Sequence, residues 1–163
     1  MRPQITILCV GKLRERYWQD AEAEYRKRLG AYTVKWTVTE VADEPTPDDA
    51  SPAQEETIRR KEGERLLAKI GERDYVIALD REGQAFDSPG FASHLEWATA
   101  ENGASAFVFV IGGSLGLHQS VLDRAKLRVS FGAFTFPHQL MRVLLHEQLY
   151  RAFKILRGEP YHK

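Results

Sequence analysis

Phe107-Val-Phe-Val-Ile-Gly-Gly-Ser-Leu-Gly-Leu-His118 is the stretch on which the fold turns. Phe107 to Ile111 is an unbroken apolar run of β-formers, the pattern of a strand buried on both faces in a parallel sheet, and two glycines end it abruptly. Beyond the carboxyl ends of such strands lies the crevice where open α/β sheets bind their ligands. Gly112, Gly113 and Gly116 let the backbone approach a bound molecule with no Cβ in the way.

On either side, strands and helices alternate. Ile5 to Val10 is a first strand closed by Gly11. Arg14 to Leu29 is an amphipathic helix whose Tyr17, Trp18, Ala21, Tyr25 and Leu29 recur at helical spacing and face the core, with Gly30 at its C′ position. Val34 to Val41 largely alternates, which predicts a half-buried strand near a sheet edge. Asp43 to Pro52, with three prolines and three aspartates, is a surface loop. Ser51-Pro52 starts a helix to about Ile70 with a glutamate-rich first turn. Tyr75 to Asp80 is a third strand, after which Arg81 to Gln84 turns the chain. Ser88-Pro89 caps a helix to about Glu101, with Phe91, Leu95, Trp97 and Ala98 inward and Asn102-Gly103 at its end. After the glycine loop come a short helix (about 119–125), a strand (127–130), an apolar loop (131–136) and a last helix that Pro137 opens. That helix carries too many apolar residues for one narrow stripe, so more than one of its sides is covered. The class is α/β, a mostly parallel sheet with helices on both faces, in a single domain spanning 1–163.

Composition fits this class. With 43% hydrophobic and 28% charged residues, disorder and a membrane protein are both disfavoured. No apolar run approaches the roughly 20 residues that cross a bilayer, and Met1 to Gln4 leads into a strand rather than a signal segment, so a cytoplasmic protein is expected. The lone Cys9 reads as a small buried hydrophobe. Net charge is zero but unevenly placed. From Arg124 onward there are eight Lys and Arg against two acids, whereas Glu40 to Glu56 holds seven acids and no base. The basic C-terminal region suits an electrostatic footprint for phosphate, and solvated helix faces read equally well from charge alone.

The glycine loop admits several readings. It lacks the G-x-G-x-x-G spacing of a dinucleotide site and the Lys-Ser/Thr of a P-loop. Gly112-Gly-Ser114-Leu-Gly116 does match the G-x-S-x-G nucleophile elbow of serine hydrolases. Against that reading, Leu117-His118 prolongs the loop where the elbow enters its helix directly, Asp123 is too close to Ser114 to serve from another strand end, and such hydrolases are longer. A third reading brings the strand ends at Leu79-Asp80, Ile111-Gly112 and Ser130-Phe131 to one crevice. The phenylalanines 131, 134 and 136 would wall it for a flat heteroaromatic ring, and aromatic faces also accept a sulfonium cation. Those phenylalanines would equally serve as core beneath the last helix.

Phe107 to His118, Thr135 to Val143, Glu147 to Lys154 and the ending Glu159-Pro-Tyr-His-Lys163 closely resemble the large-subunit ribosomal RNA pseudouridine N3-methyltransferases of the SPOUT superfamily, along the whole chain. The resemblance implies a C-terminal trefoil knot, a homodimer, and S-adenosylmethionine as cofactor. Carried over by position, the cofactor contacts would be Leu79, Gly112, Gly113 and the loop Phe131, Gly132, Ala133, Phe134, Thr135 and Phe136. The implied reaction places a methyl group on N3 of a pseudouridine, whose imide proton must be removed or shared. His162 is the candidate base or base-orienting group, because imidazole suits that task. Tyr161 would stack on or bond to the uracil, and Arg142 and Arg151 would hold phosphate or a uracil oxygen. Glu147 and Arg151 also form an ordinary i, i+4 pair. His138 and His146 lack the H-E-x-x-H pattern, so no metal is expected, and His94 reads as a helix-surface residue. A small neutral domain without an added RNA-binding module is expected to act on assembled ribosomes. The serine hydrolase and a non-enzymatic RNA- or ribosome-binding dimer are the rival classes.

Overall fold

In the computed structural model, which describes residues 1–163, the chain alternates β1 (Gln4–Val10), α1 (Arg16–Leu29), β2 (Lys35–Val41), α2 (Pro52–Leu67), β3 (Tyr75–Ala85), α3 (Ser88–Asn102), β4 (Ala106–Ile111), α4 (Gln119–Arg124), β5 (Leu127–Ser130) and α5 (His138–Leu156). The strands form one sheet in the order β2-β1-β4-β3-β5. Every pairing is parallel. The apolar run of β4 is central, paired with β1 on one side and β3 on the other, and the alternating β2 is an edge.

Strand periodicity of two sorts the core into two layers. Ile5, Ile7, Phe107, Phe109 and Ile77 point to one face, where Leu29 of α1, Phe91 and Leu95 of α3, and Leu145, Leu149 and Phe153 of α5 cover them. Leu8, Val10, Val76, Val108 and Val110 point to the other, under Leu66 of α2 and Val121 of α4. Each of the largest of these side chains contributes about 1.5–3 kcal/mol of burial free energy. Cys9 belongs to the first layer. Burial pushes its thiol up to about 12, so it is an inert small hydrophobe.

Several expectations change. The strand that was to turn at Arg81 instead continues to Ala85, pairing with β5 across a register shift between Leu79 and Gln84. Gly83 sits in that irregular stretch, where a Cβ would meet the Arg128 carbonyl at 2.7 Å. Asp87, not Ser88, caps α3, its side chain accepting from the Gly90 N–H at 2.7 Å. Gly30 caps α1 in a right-handed conformation (φ −57°), whereas Gly103 takes the left-handed one (φ 64°) at the end of α3. Ser51 and Gln54 form a reciprocal capping box on α2. Tyr17 and Trp97 are 64% and 48% exposed in the single chain, so neither is a core residue there. His94 is half-buried beneath an aromatic group, bonded to the Tyr75 hydroxyl at 3.0 Å, and burial lowers its pKa.

α5 lies between α1 and α3, tied to α1 by a buried ionic cluster. Arg142 donates through Nε and Nη2 to both carboxylate oxygens of Glu22, and through Nη1 to Glu40 Oε2 at 2.7 Å. One turn later His146, with no exposed surface, donates its Nδ1–H to the Arg142 carbonyl at 2.7 Å. Burial, the largest influence, lowers the His146 pKa below the ordinary 6.5. The unfolded chain therefore takes up a proton that the folded chain refuses. This contribution to stability is complete above the unfolded pKa and is lost as pH falls through it. Urea denaturation near pH 7.5 and pH 5.5 is expected to show a steeper acid loss for the wild type than for His146→Gln; equal slopes would contradict this.

Candidate active site

The carboxyl ends of β4 and β5 lie beside the irregular stretch of β3 at Leu79 to Glu82, and this stretch and the loops that follow β4 and β5 enclose a cavity of about 390 Å³. Leu79 and Asp80 come from β3, Ile111 to Leu117 from the glycine loop, and Phe131 to Phe136 from the loop before α5. The crevice read from the strand ends is thus formed. Of the loop residues expected to face it, Phe131, Gly132, Phe134, Thr135 and Phe136 line the cavity, and Ala133 does not. Phe134 is 81% exposed and no part of the core, whereas Phe131 is half-buried and packs against it and Phe136 is half-buried.

The glycine loop bends tightly on itself, with the Gly116 N–H donating to the Gly113 carbonyl at 3.1 Å and Gly116 at φ 81°. A Cβ on Gly112 would stand 2.8 Å from the Gly116 carbonyl carbon, and one on Gly113 would stand 3.2 Å from Val10 Cγ1. Glycine at these two positions lets the loop close on itself and against Val10 and Glu62, so that its bare backbone lines the cavity. On the opposite wall Ser130 Oγ accepts from the Gly132 N–H at 3.1 Å, and Arg81 Nη1 donates to Thr135 Oγ1 at 2.6 Å, fixing the aromatic loop. Ser114 Oγ hydrogen-bonds to no histidine, so the triad required by the hydrolase reading is not assembled.

The candidate chemistry residues gather elsewhere. After α5 the chain turns at Gly158 (φ 64°) and folds back along the helix. Glu159 pins this turn, accepting from Tyr32 OH at 2.5 Å and Lys154 Nζ at 2.9 Å. Tyr161 then packs edge-on against Tyr150, donates its hydroxyl to Glu147 Oε1 at 3.2 Å, and lies under Arg151, whose guanidinium carbon is 4.7 Å from the ring centre. Burial, then the Glu147 charge, hold the Tyr161 phenol above its usual range, so it remains a donor. Arg151 Nη2 and Nε donate to Glu147 Oε1 at 2.6 and 3.0 Å, and Nη1 reaches His162 Nδ1 at 3.3 Å. Arg151, Tyr161 and His162 are therefore brought together. Arg142 is not with them: it is buried and all three guanidinium nitrogens are spent on Glu22 and Glu40, so it is a structural clamp and not a free phosphate or uracil ligand.

Sequence reasoning missed two cavity residues on α5, His138 and Met141. His138 directly follows the aromatic loop and Pro137, and that adjacency was the available signal. Burial lowers its pKa, so it is neutral at pH 7. No group of three or more His, Cys, Asp or Glu side chains is placed to hold a metal ion, and no helix is long and apolar enough to cross a membrane.

With this geometry in hand, comparison with known proteins is informative. The profile of a family described as predicted SPOUT methyltransferase matches residues 3–162. Two curated proteins called ribosomal RNA large subunit methyltransferase H, from Streptococcus thermophilus strains CNRZ 1066 and ATCC BAA-250 / LMG 18311, are 55% identical over 160 residues. Those residues are 98% of this chain and 99% of each relative. Among solved structures, the tRNA (m1G37) methyltransferase of Aquifex aeolicus superposes with a TM-score of 0.56 at 11% identity, covering 99% of this chain and 75% of its own. A probable methylase family protein from Haemophilus influenzae Rd KW20 superposes at 0.55 and 12%, covering 100% and 72%. Those two likenesses concern the fold alone.

Proposed function

The chain belongs to the SPOUT methyltransferase family, and from that membership we propose that it methylates N3 of a pseudouridine in large-subunit ribosomal RNA, using S-adenosylmethionine and acting on assembled ribosomes. The observation that carries this reading is the cavity itself, the bare backbone of Gly112 and Gly113 facing an aromatic loop beside the carboxyl ends of β4 and β5. The cofactor's chemistry, when bound, is an electrophilic sulfonium methyl group. Leu79 and Phe131 supply apolar walls for its adenine, and the loop backbone at Gly112, Gly132 and Thr135 supplies polar groups without side chains in the way.

The tail cluster handles the imide proton. Because His162 Nδ1 accepts from Arg151, the neutral imidazole carries its proton on Nε2. Nε2–H then donates to a uracil carbonyl oxygen beside N3, where negative charge accumulates as N3 loses its proton. While Arg151 holds Nδ1, His162 only orients and polarises the uracil; the N3 proton leaves when Arg151 releases Nδ1, which then takes that proton to give the imidazolium. Tyr161 offers a ring face and a protonated hydroxyl to the base, and Glu147 holds both Tyr161 and Arg151 in place.

The site is completed by a second copy of the chain. Met141 walls the cavity, and Arg151 lies ten residues further along α5, about 15 Å at 1.5 Å per residue. One chain therefore holds its cavity and its tail cluster apart. The α5 residues Leu140, Val143 and Leu144 are only half-buried, and Tyr17 of neighbouring α1 is exposed, an apolar strip suited to a homodimer in which each tail serves the partner's cavity.

The test is transfer of labelled methyl from S-adenosylmethionine to ribosomal RNA in intact ribosomes, with saturable cofactor binding by calorimetry. Absence of both would overturn the reading, and efficient methylation of a short isolated stem-loop would remove the ribosome requirement. Gly112→Ala is expected to weaken cofactor binding at least about ten-fold, since overpacking costs about 1–3 kcal/mol and the clashing partner is backbone. Unchanged affinity would place the cofactor elsewhere.

A further inference from the structure

A second, smaller cavity of about 220 Å³ lies behind the glycine loop, on the side of β1 and β2. It meets the first at Gly113, Ser114 and His138, which wall both. Asp43, Glu44 and Glu62 line it, and no lysine or arginine does. His138 adds no charge, because burial lowers its pKa.

Glu62 is the group without a task. It is 5% exposed, yet only its Oε2 is hydrogen-bonded, accepting from the Glu44 N–H at 3.0 Å. Oε1 accepts no hydrogen bond from the protein. Arg65 is committed to the Glu44 carboxylate and, at 2.9 Å, to the Ala42 carbonyl. The two Glu62 oxygens lie 3.3 and 3.4 Å from where a Cβ on Gly113 would stand, so the carboxylate faces the glycine loop with no side chain between them. Oε1 keeps contact with the solvent of the cavity, so the carboxylate is open to a cationic ligand from that side. Burial already pushes the Glu62 carboxyl up, with the Asp43 charge adding to it, and a bound cation would reverse that.

Resting on the reading of the first cavity as the cofactor site, we propose that Glu62 receives the α-ammonium group of S-adenosylmethionine in this second cavity. That group stands at the far end of the methionine chain from the adenosine, where it can reach the acidic chamber while the α-carboxylate on the same carbon points out of it. The sulfonium is the poorer match: its charge disappears as the methyl leaves, so a carboxylate against it would stabilise the ground state over the transition state and slow transfer. The ammonium keeps its charge throughout. Gly113 is then glycine for a second reason, since any side chain would stand between the carboxylate and its ligand.

Calorimetric titration of wild type and Glu62→Gln with S-adenosylmethionine, S-adenosylhomocysteine and 5′-methylthioadenosine tests this. Glu62→Gln retains the acceptor for the Glu44 N–H. It is expected to weaken the first two ligands about ten- to a hundred-fold, and to leave 5′-methylthioadenosine, which has no amino-acid end, within about two-fold. Equal losses on all three would make Glu62 a support of the loop, and a loss confined to S-adenosylmethionine would assign the contact to the sulfonium. Either result, or no loss at all, overturns the proposal. A measurement on the wild type alone guards against a poorly folded variant: S-adenosylhomocysteine lacking its amino group should bind it as weakly as the parent binds Glu62→Gln, and full-strength binding would also overturn the proposal. Failure of the wild type to bind any of these ligands would remove the cofactor reading first and this inference with it, and that failure appears before any variant is made.

Discussion

Arg142→Met destabilises the protein by about 3–5 kcal/mol in urea denaturation at neutral pH, the range for breaking a buried ion pair by removing one partner. The cost arises from what stays behind. Glu22 is 6% exposed, and without Arg142 its carboxylate has no hydrogen-bond donor in the middle of the α1–α5 contact. The Glu40 side chain, 32% exposed, loses its partner as well but reaches solvent. Methionine preserves much of the volume, so the loss is electrostatic and not a cavity effect. It follows that Arg142→Met combined with Glu22→Met recovers most of the stability, because an apolar pair of similar volume usually matches a buried ion pair. That double variant also separates clamp from ligand: with stability restored, ribosomal RNA methylation should return to near the wild-type rate. A stable double variant without methyl transfer would return Arg142 to the active site.

Arg142 also shows where sequence stops being informative. Arg142 and Arg151 look alike on paper, two arginines on one helix in a basic region. What separates them is Glu22, 120 positions away, which reaches Arg142 only because α1 and α5 pack side by side over the sheet. Local pairs were legible: Glu147 and Arg151 meet as i, i+4 spacing requires. The β4 run located the sheet centre because a strand covered on both faces has no polar alternative, and the alternation in β2 located an edge for the converse reason. Tyr17 and Trp97 misled because helical periodicity counts apolar residues without knowing which face is covered. Asp87 and Ser88 are both capping types in succession, and the choice between them depends on backbone geometry. Glu62 lay hidden in the charged run Arg59-Arg-Lys-Glu-Gly-Glu-Arg65, which reads as a solvated face until the glycine loop is laid against it.

His162→Ala lowers the rate of methyl transfer by about 10²–10⁴, the usual contribution of a positioned acid or base, while cofactor affinity stays within about two-fold. The split follows from distance. His162 touches Arg151 and nothing in the cavity wall, and about 15 Å of α5 separates the two regions within one chain. A residue that only shaped the cofactor pocket would change affinity first; one that only supported the fold would change stability. His162 is exposed at the end of the chain and its removal exposes no core, so stability should be unchanged within about 0.5 kcal/mol. Mixing provides the sharper measurement. If each tail serves the partner's cavity, a heterodimer of one His162→Ala chain and one Gly112→Ala chain combines both lesions in one site and leaves the other intact. Assayed at a cofactor concentration that leaves the Gly112→Ala homodimer largely unloaded, the mixed dimer should then show about half the wild-type activity, because both lesions fall in one site and the other pairs an intact cavity with an intact tail. Complete inactivity of the mixed dimer, with wild-type stability, would mean that tail and cavity of the same chain work together, and the partner-supplied tail would be wrong.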